Sequence, residues 1–168
     1  LALIALAMPA SAQLVQQPEV EETTPADLFG RETPRSAVTG LIRALAEADY
    51  TRAAQYLSSA GPDDSASLEQ AAEQARQLQA ALDSGGSLLP FSVLSNDATG
   101  RLDDGLPPAS ERVGTLPGDA DAPILLERSE GPEGQEIWRV SEETLEAIDT
   151  LMPAAEDLDF ISGASMIA

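Results

Sequence analysis

Adjacent carboxylates that offer themselves for chemistry are abundant in this chain, among them Asp63-Asp64, Asp103-Asp104 and Glu142-Glu143. Two carboxylates do general acid/base work, as in glycoside hydrolysis, when a cleft holds them at a set separation. Aspartates also gather in two loops, Asp97 with Asp103 and Asp104, and Asp119 with Asp121. Hard oxygen donors of this kind suit Ca²⁺. Neither loop has the EF-hand order, because Pro123 and Ile124 fall where an oxygen ligand and the turn glycine are needed. Histidine and cysteine are absent. That excludes a Ser-His-Asp triad, a Cys-His dyad, disulfides and Cys/His zinc sites. No motif marks a nucleophile beside its base. The aspartates are expected to cap turns and stay solvated, and the sequence predicts no enzyme, no cofactor and no metal.

The composition narrows the partners. The charged residues are 29 acidic against nine cationic, all arginine, for a net charge of -20. A polyanion repels phosphate backbones, so nucleic acid is not expected as a partner. The same charge disfavours tight contact with anionic lipid headgroups. At 43% hydrophobic the chain can bury a core, and a chain near 150 residues buries about two-thirds of its surface on folding. Aromatics are only 4%, so Leu, Ala, Ile and Val must fill that core, with Trp138 as an anchor.

The carboxylates must be positioned by helices and strands, and the pattern begins with 27–57. Thr33 is a good N-cap and Pro34 suits the first helical position. Val38, Leu41, Ile42 and Leu45 follow at i, i+3, i+4 and i+7, one apolar face. Asp49 caps a second helix in which Tyr50, Ala53, Ala54 and Leu57 repeat that spacing, so the pair runs over 34–58. Ser67 with Gln70 reads as a capping box for a third helix, with Leu68, Ala71, Ala72, Ala75, Leu78 and Leu82 on one face and Gly85-Gly86 at its end. Residues 88–94 form a strand candidate that Pro90 confines to an edge. A long loop over 95–108 follows, then a short strand over 113–116. Better strands cover 124–129 and 136–140, joined by a Gly- and Pro-containing turn that suggests a hairpin. Ser141 caps a last helix with Leu145, Ile148 and Met152 inward, ended by Pro153. The fold class is α+β: an N-terminal three-helix region, a small antiparallel sheet with a hairpin, and a closing C-terminal helix.

The ends read differently. Leu1 to Ala7 is a short apolar run, and Ala10-Ser11-Ala12 is a small-x-small cleavage pattern. Residues 1–12 are expected to be a signal peptide lacking its start, since no initiator Met or basic n-region precedes them. Residues 13–26 form a flexible acidic leader, 27–152 a single α+β domain, and 153–168 a tail or truncated junction to a missing membrane region. No run approaches the roughly 20 apolar residues that a membrane span requires.

The wording of several segments resembles the N-terminal extracytoplasmic domain of bacterial small-conductance (MscS-like) mechanosensitive channels. A "GR-x-TPR" lead-in is matched by Gly30, Arg31, Thr33, Pro34 and Arg35. A "GDY-x-x-AA-x-YL" segment is matched by Asp49, Tyr50, Ala53, Ala54, Tyr56 and Leu57, with Ala48 where glycine is usual. Ala75 to Leu78 resembles an "ARQL" helix. Asp103, Asp104 and Gly105, with Pro107-Pro108 and Glu111 to Gly114, resemble "LDDGLPP…ERVG", and 124–128 with Ile137-Trp138 resembles the closing strands. The resemblance covers 27–152. It implies a periplasmic domain attached to the inner membrane through absent downstream helices, in a homo-oligomer whose pore lies outside this chain. These residues are then structural signatures, not an active site. The alternative is a free secreted α+β module that binds a peptide or small ligand in a helical groove.

Arg31 and Arg35 flank the start of the first helix, where the positive dipole end disfavours cations. A specific acidic partner is therefore expected, Asp27 or a carboxylate of the Asp103-Asp104 loop. Charge reversal at Arg35 should lower the melting temperature followed by circular dichroism; an unchanged value would remove the contact.

Overall fold

Thr33 starts the first helix by trading hydrogen bonds with Ser36. Its hydroxyl accepts from the Ser36 N–H at 3.2 Å, and its own N–H donates to Ser36 Oγ at 3.1 Å. Two backbone donors that the first helical turn leaves free are thereby satisfied. The chain is described by a computed structural model covering residues 25–61, 65–118 and 122–152. The stretch expected to be a signal peptide, residues 13–24 of the expected leader, Asp63, Asp64, Asp119, Asp121 and residues 153–168 lie outside the described residues.

Helix α1 spans Pro34–Ala46 and buries Ala37, Val38, Leu41, Ala44 and Leu45 along one stripe, with Ile42 half-buried beside it. It ends in a Schellman turn. The Ala48 N–H donates to Leu45 O at 3.0 Å and the Asp49 N–H to Ala44 O at 2.9 Å. That turn puts Ala48 in the left-handed region, φ 54°. Asp49 then caps α2, Tyr50–Ala54, by accepting from the Arg52 N–H. Helix α2 has only five residues, which corrects the expected helix to 58. Past Ala54 the chain tightens into turns, with the Tyr56 and Leu57 N–H groups donating to Ala53 O and Ala54 O, while Tyr56 O and the Ser58 N–H pair with Val140.

Helix α3, Ser65–Asp83, places Ala71, Ala72, Ala75, Leu78 and Ala81 in the interior. It begins two residues ahead of the expected Ser67 cap. Ser67 lies within the helix, and its hydroxyl accepts from the Gly61 N–H at 3.2 Å, so it ties down the preceding loop.

The sheet is antiparallel in the order β1-β2-β3-β4. Strand β1 is only Ser87–Leu88, against the expected 88–94. Pro90 lacks an N–H, and the chain turns there, with the Val93 N–H donating back to Pro90 O. Strand β2, Ser110–Thr115, starts earlier than expected and carries an irregularity between Arg112 and Gly114. Strands β3, Pro123–Glu130, and β4, Glu136–Val140, form the expected hairpin. Ser141 caps α4, Glu142–Leu151, which buries Leu145 and Ile148. One core runs from the inner faces of α1 and α3 to Val113, Leu126, Trp138 and Val140 of the sheet. The protein is an α+β structure, three helices ahead of a four-stranded antiparallel sheet with a helix after it.

Ala48 is held where a left-handed backbone costs a residue with Cβ about 1–2 kcal/mol, while Gly loses more chain entropy on folding, about 0.5–1 kcal/mol. The steric term is the larger. Ala48→Gly should therefore raise stability by about 0.5–1 kcal/mol and Ala48→Val should lower it, read as shifts of the thermal midpoint.

Candidate functional site

Strand β4 is the outer strand of the sheet, and its free edge is where the separate segments of the chain meet. The Trp138 N–H donates to Arg31 O at 2.8 Å. The Val140 N–H donates to Tyr56 O at 2.8 Å, and the Ser58 N–H to Val140 O at 3.0 Å, with Leu57 bridging Val140 in parallel. Edge groups that would otherwise template a foreign strand are thus covered.

Arg31 is 4% exposed, and its charge is answered on the spot. Its Nε and Nη2 donate to the two Asp27 carboxylate oxygens at 2.9 and 2.7 Å, a bidentate pair. Its backbone N–H also reaches Asp27, at 2.8 Å, and Nη1 donates to Gln55 O. One residue therefore ties the lead-in, the end of α2 and β4 together. Burial pushes the Asp27 carboxyl toward neutrality, but the Arg31 side chain, the Arg31 N–H, the cation's charge and Gln135 outweigh it and hold its pKa below the ordinary value. Farther along β4, burial pulls the Arg139 pKa down, repulsion from Arg31 adds to that, and Glu127 opposes it.

A second buried polar centre serves the 95–101 loop. Glu111, 2% exposed, accepts from the Ser95 N–H at 3.0 Å and the Arg101 N–H at 2.9 Å. Trp138 Nε1 donates to Ala98 O at 3.0 Å, and its ring packs against Gly100. Trp138 is the core anchor that its sequence context predicts. The buried role of Glu111 escaped the sequence reading; its only signal is an acidic residue one strand step from Val113 on the inward face.

A groove of about 380 Å³ opens beside the lead-in. Arg35, Ser36, Thr39, Gly40 and Arg43 line it from α1, and Arg52 from α2, over Phe29 and Tyr56. Gly40 is needed here, because a Cβ would overlap the Tyr56 ring. That ring is fixed by its hydroxyl, which donates to Phe29 O at 2.9 Å.

The expected site residues fall into separate groups. Gly30, Arg31, Tyr56, Leu57 and Trp138 converge on the β4 edge, while Thr33, Pro34 and Asp49 begin helices. Tyr50 donates to Gln79 and lies under the Arg76 guanidinium. Asp103, Asp104 and Gly105 lie apart in the 95–108 loop, where Asp104 accepts from the Leu106 N–H. Asp97 likewise accepts from Thr99, so these aspartates hold turns. Arg31 takes Asp27 as expected. Arg35 does not pair with a carboxylate; its Nε and Nη2 both donate to Leu94 O, at 3.1 and 2.8 Å, because that carbonyl faces the helix start. Glu142 and Glu143 are exposed on the first turn of α4. Among the described residues no group of acidic side chains is placed to hold a metal ion, and no helix is long and apolar enough to cross a membrane.

Fold and site define an α+β domain closed around a buried arginine–carboxylate pair, with a basic groove on an acidic surface. No protein-family profile matches the chain, and no curated protein or solved structure does either.

Removing one partner of a buried pair leaves the other charge uncompensated, at a cost of about 3–5 kcal/mol. Arg31→Met should lose that much at pH 7 in urea unfolding. In the wild type the folded Asp27 pKa is depressed, so its stabilisation is full above the unfolded value and fades as pH falls through the folded one. Without the Arg31 guanidinium, burial is opposed only by the residue-31 N–H and Gln135, so the Asp27 pKa lies higher than in the wild type. The stability gap between the two proteins should therefore narrow from pH 7 toward pH 3; a constant gap would refute the assignment.

Proposed function

We propose that the chain is the periplasmic N-terminal domain of a subunit of an MscS-like mechanosensitive channel, a non-catalytic part of a homo-oligomer. The pore belongs to sequence beyond this chain, and membrane attachment comes through it. What supports the reading is the backbone at residue 48. The family wording has glycine there, and Ala48 adopts φ 54°, a conformation that favours glycine. Of the three glycines that match the wording, Gly30 and Gly105 also have positive φ, 66° and 78°, and Gly114, in a paired strand, does not. Further support comes from the matched segments around Arg31, Tyr56 and Trp138, which are remote in sequence and bonded to one another at the β4 edge.

In this reading the domain contributes contacts outside the membrane, as an oligomer surface or a lever on the pore. A second reading, a free secreted binding module, draws on the open basic groove. The complete gene should be expressed in bacteria lacking their own mechanosensitive channels, and giant spheroplasts patched under suction. Stretch-activated current and survival of osmotic downshock are the expected results. Membrane-inserted protein without tension-gated current, or secreted protein with no membrane fraction, would overturn the proposal, the latter in favour of the free module.

A further inference from the structure

Arg35, Arg43 and Arg52 line one groove, and no acidic residue lines it. Arg35 spends its guanidinium on the Leu94 carbonyl. The ion pairs among the described residues are Arg31–Asp27, Arg76–Glu73 and Arg128–Glu136, and none involves these three arginines. With 29 acidic residues against nine arginines, an intramolecular carboxylate is the easy partner for any cation. Among the described residues Arg43 and Arg52 have no carboxylate partner, and an entering anionic surface supplies one.

Helix α4 presents a surface of that kind. Glu142, Glu146 and Asp149 stand at i, i+4 and i+7, all exposed, on one stripe. They border a smaller depression of about 260 Å³ with Ser58, Ser59 and Gln74, and the Gln74 amide donates to Asp149 at 3.2 Å. The two rows match in length: Arg35 to Arg43 spans about 12 Å of helix and Glu142 to Asp149 about 10.5 Å, at roughly 1.5 Å per residue.

We propose that the basic groove of one copy receives the acidic α4 stripe of a second copy. Groove and stripe are different patches, so the contact is head-to-tail and propagates into a ring when its rotation closes. The inference rests on the proposed reading of the chain as one of several identical subunits, which supplies a high local concentration. That setting matters because each copy carries a net charge of -20. At physiological ionic strength charges beyond about 8 Å are screened, whereas pairs in contact are screened much less.

The test is sedimentation velocity on the full chain with two charge-swapped variants, Arg43→Glu/Arg52→Glu and Glu142→Arg/Glu146→Arg. Circular dichroism checks that each is folded. Wild type should associate as concentration rises toward about 1 mM. Each variant alone should associate at least about tenfold more weakly, and their mixture should recover association. Wild type that stays monomeric to about 1 mM, or a mixture that does not recover, overturns the proposal. Should a swapped variant not fold, Arg43→Gln/Arg52→Gln replaces it, and unchanged self-association there overturns the proposal as well. A poly-Glu peptide that binds monomeric protein would assign the groove to a foreign acidic segment. Tension-gated current from a channel whose domain is monomeric overturns this contact alone; association without current overturns the channel reading alone.

Discussion

Burying a guanidinium is costly unless its charge and its donors are all answered, and that constraint organises this protein. Arg31 meets it by pairing with Asp27 through two bonds, by reaching Gln55 O, and by offering its own carbonyl to Trp138. Each partner belongs to a different part of the chain. The pair therefore does more than offset its own desolvation: it fixes the lead-in against the end of α2 and seals the edge of β4. The adjacent stretch 56–58 completes the same edge. Two backbone segments from outside the sheet thus do what a fifth strand would do.

The distribution of charge follows a second constraint. A surplus of carboxylates leaves most acidic side chains to solvent, where they repel one another and keep the surface hydrated. Buried acids are the exceptions, and each has a structural partner: Asp27 an arginine, Glu111 two backbone N–H groups. Arginine, besides its pairs with Glu73 and Glu136 at Arg76 and Arg128, is used in several ways. It neutralises a buried acid at Arg31, holds the carbonyls of the 93–94 turn at Arg35 and Arg101, and borders the groove at Arg43 and Arg52. Among the described residues Arg43 and Arg52 have no carboxylate partner, and the groove they border is opposite in charge to the chain as a whole.

The joint between α1 and α2 is set by backbone geometry that restricts the residue. The Schellman turn after α1 requires a left-handed residue, and this chain meets the requirement with alanine at 48. Asp49 follows as cap, so the end of one helix and the start of the next are set within two residues.

Local rules in the sequence determined the helix starts at Thr33, Asp49 and Ser141, the apolar stripes of α1, α3 and α4, the β3–β4 hairpin and the place of Trp138 in the core. Each depends on neighbours a few residues away, which periodicity and capping chemistry report directly. The partner of Arg31 was legible only as one of two candidates, Asp27 or the Asp103-Asp104 loop, and the fold chose Asp27. Tertiary structure alone decided the rest. Helix α2 stops at Ala54, and past it Tyr56 O and the Ser58 N–H pair with Val140 because the fold brings β4, some 80 residues later, beside them. Arg35 turns to Leu94 O, Glu111 turns inward to hold a loop, and three arginines from two helices meet at one groove for the same reason. Those outcomes depend on which unsatisfied groups the fold brings close, and linear spacing carries no record of that distance.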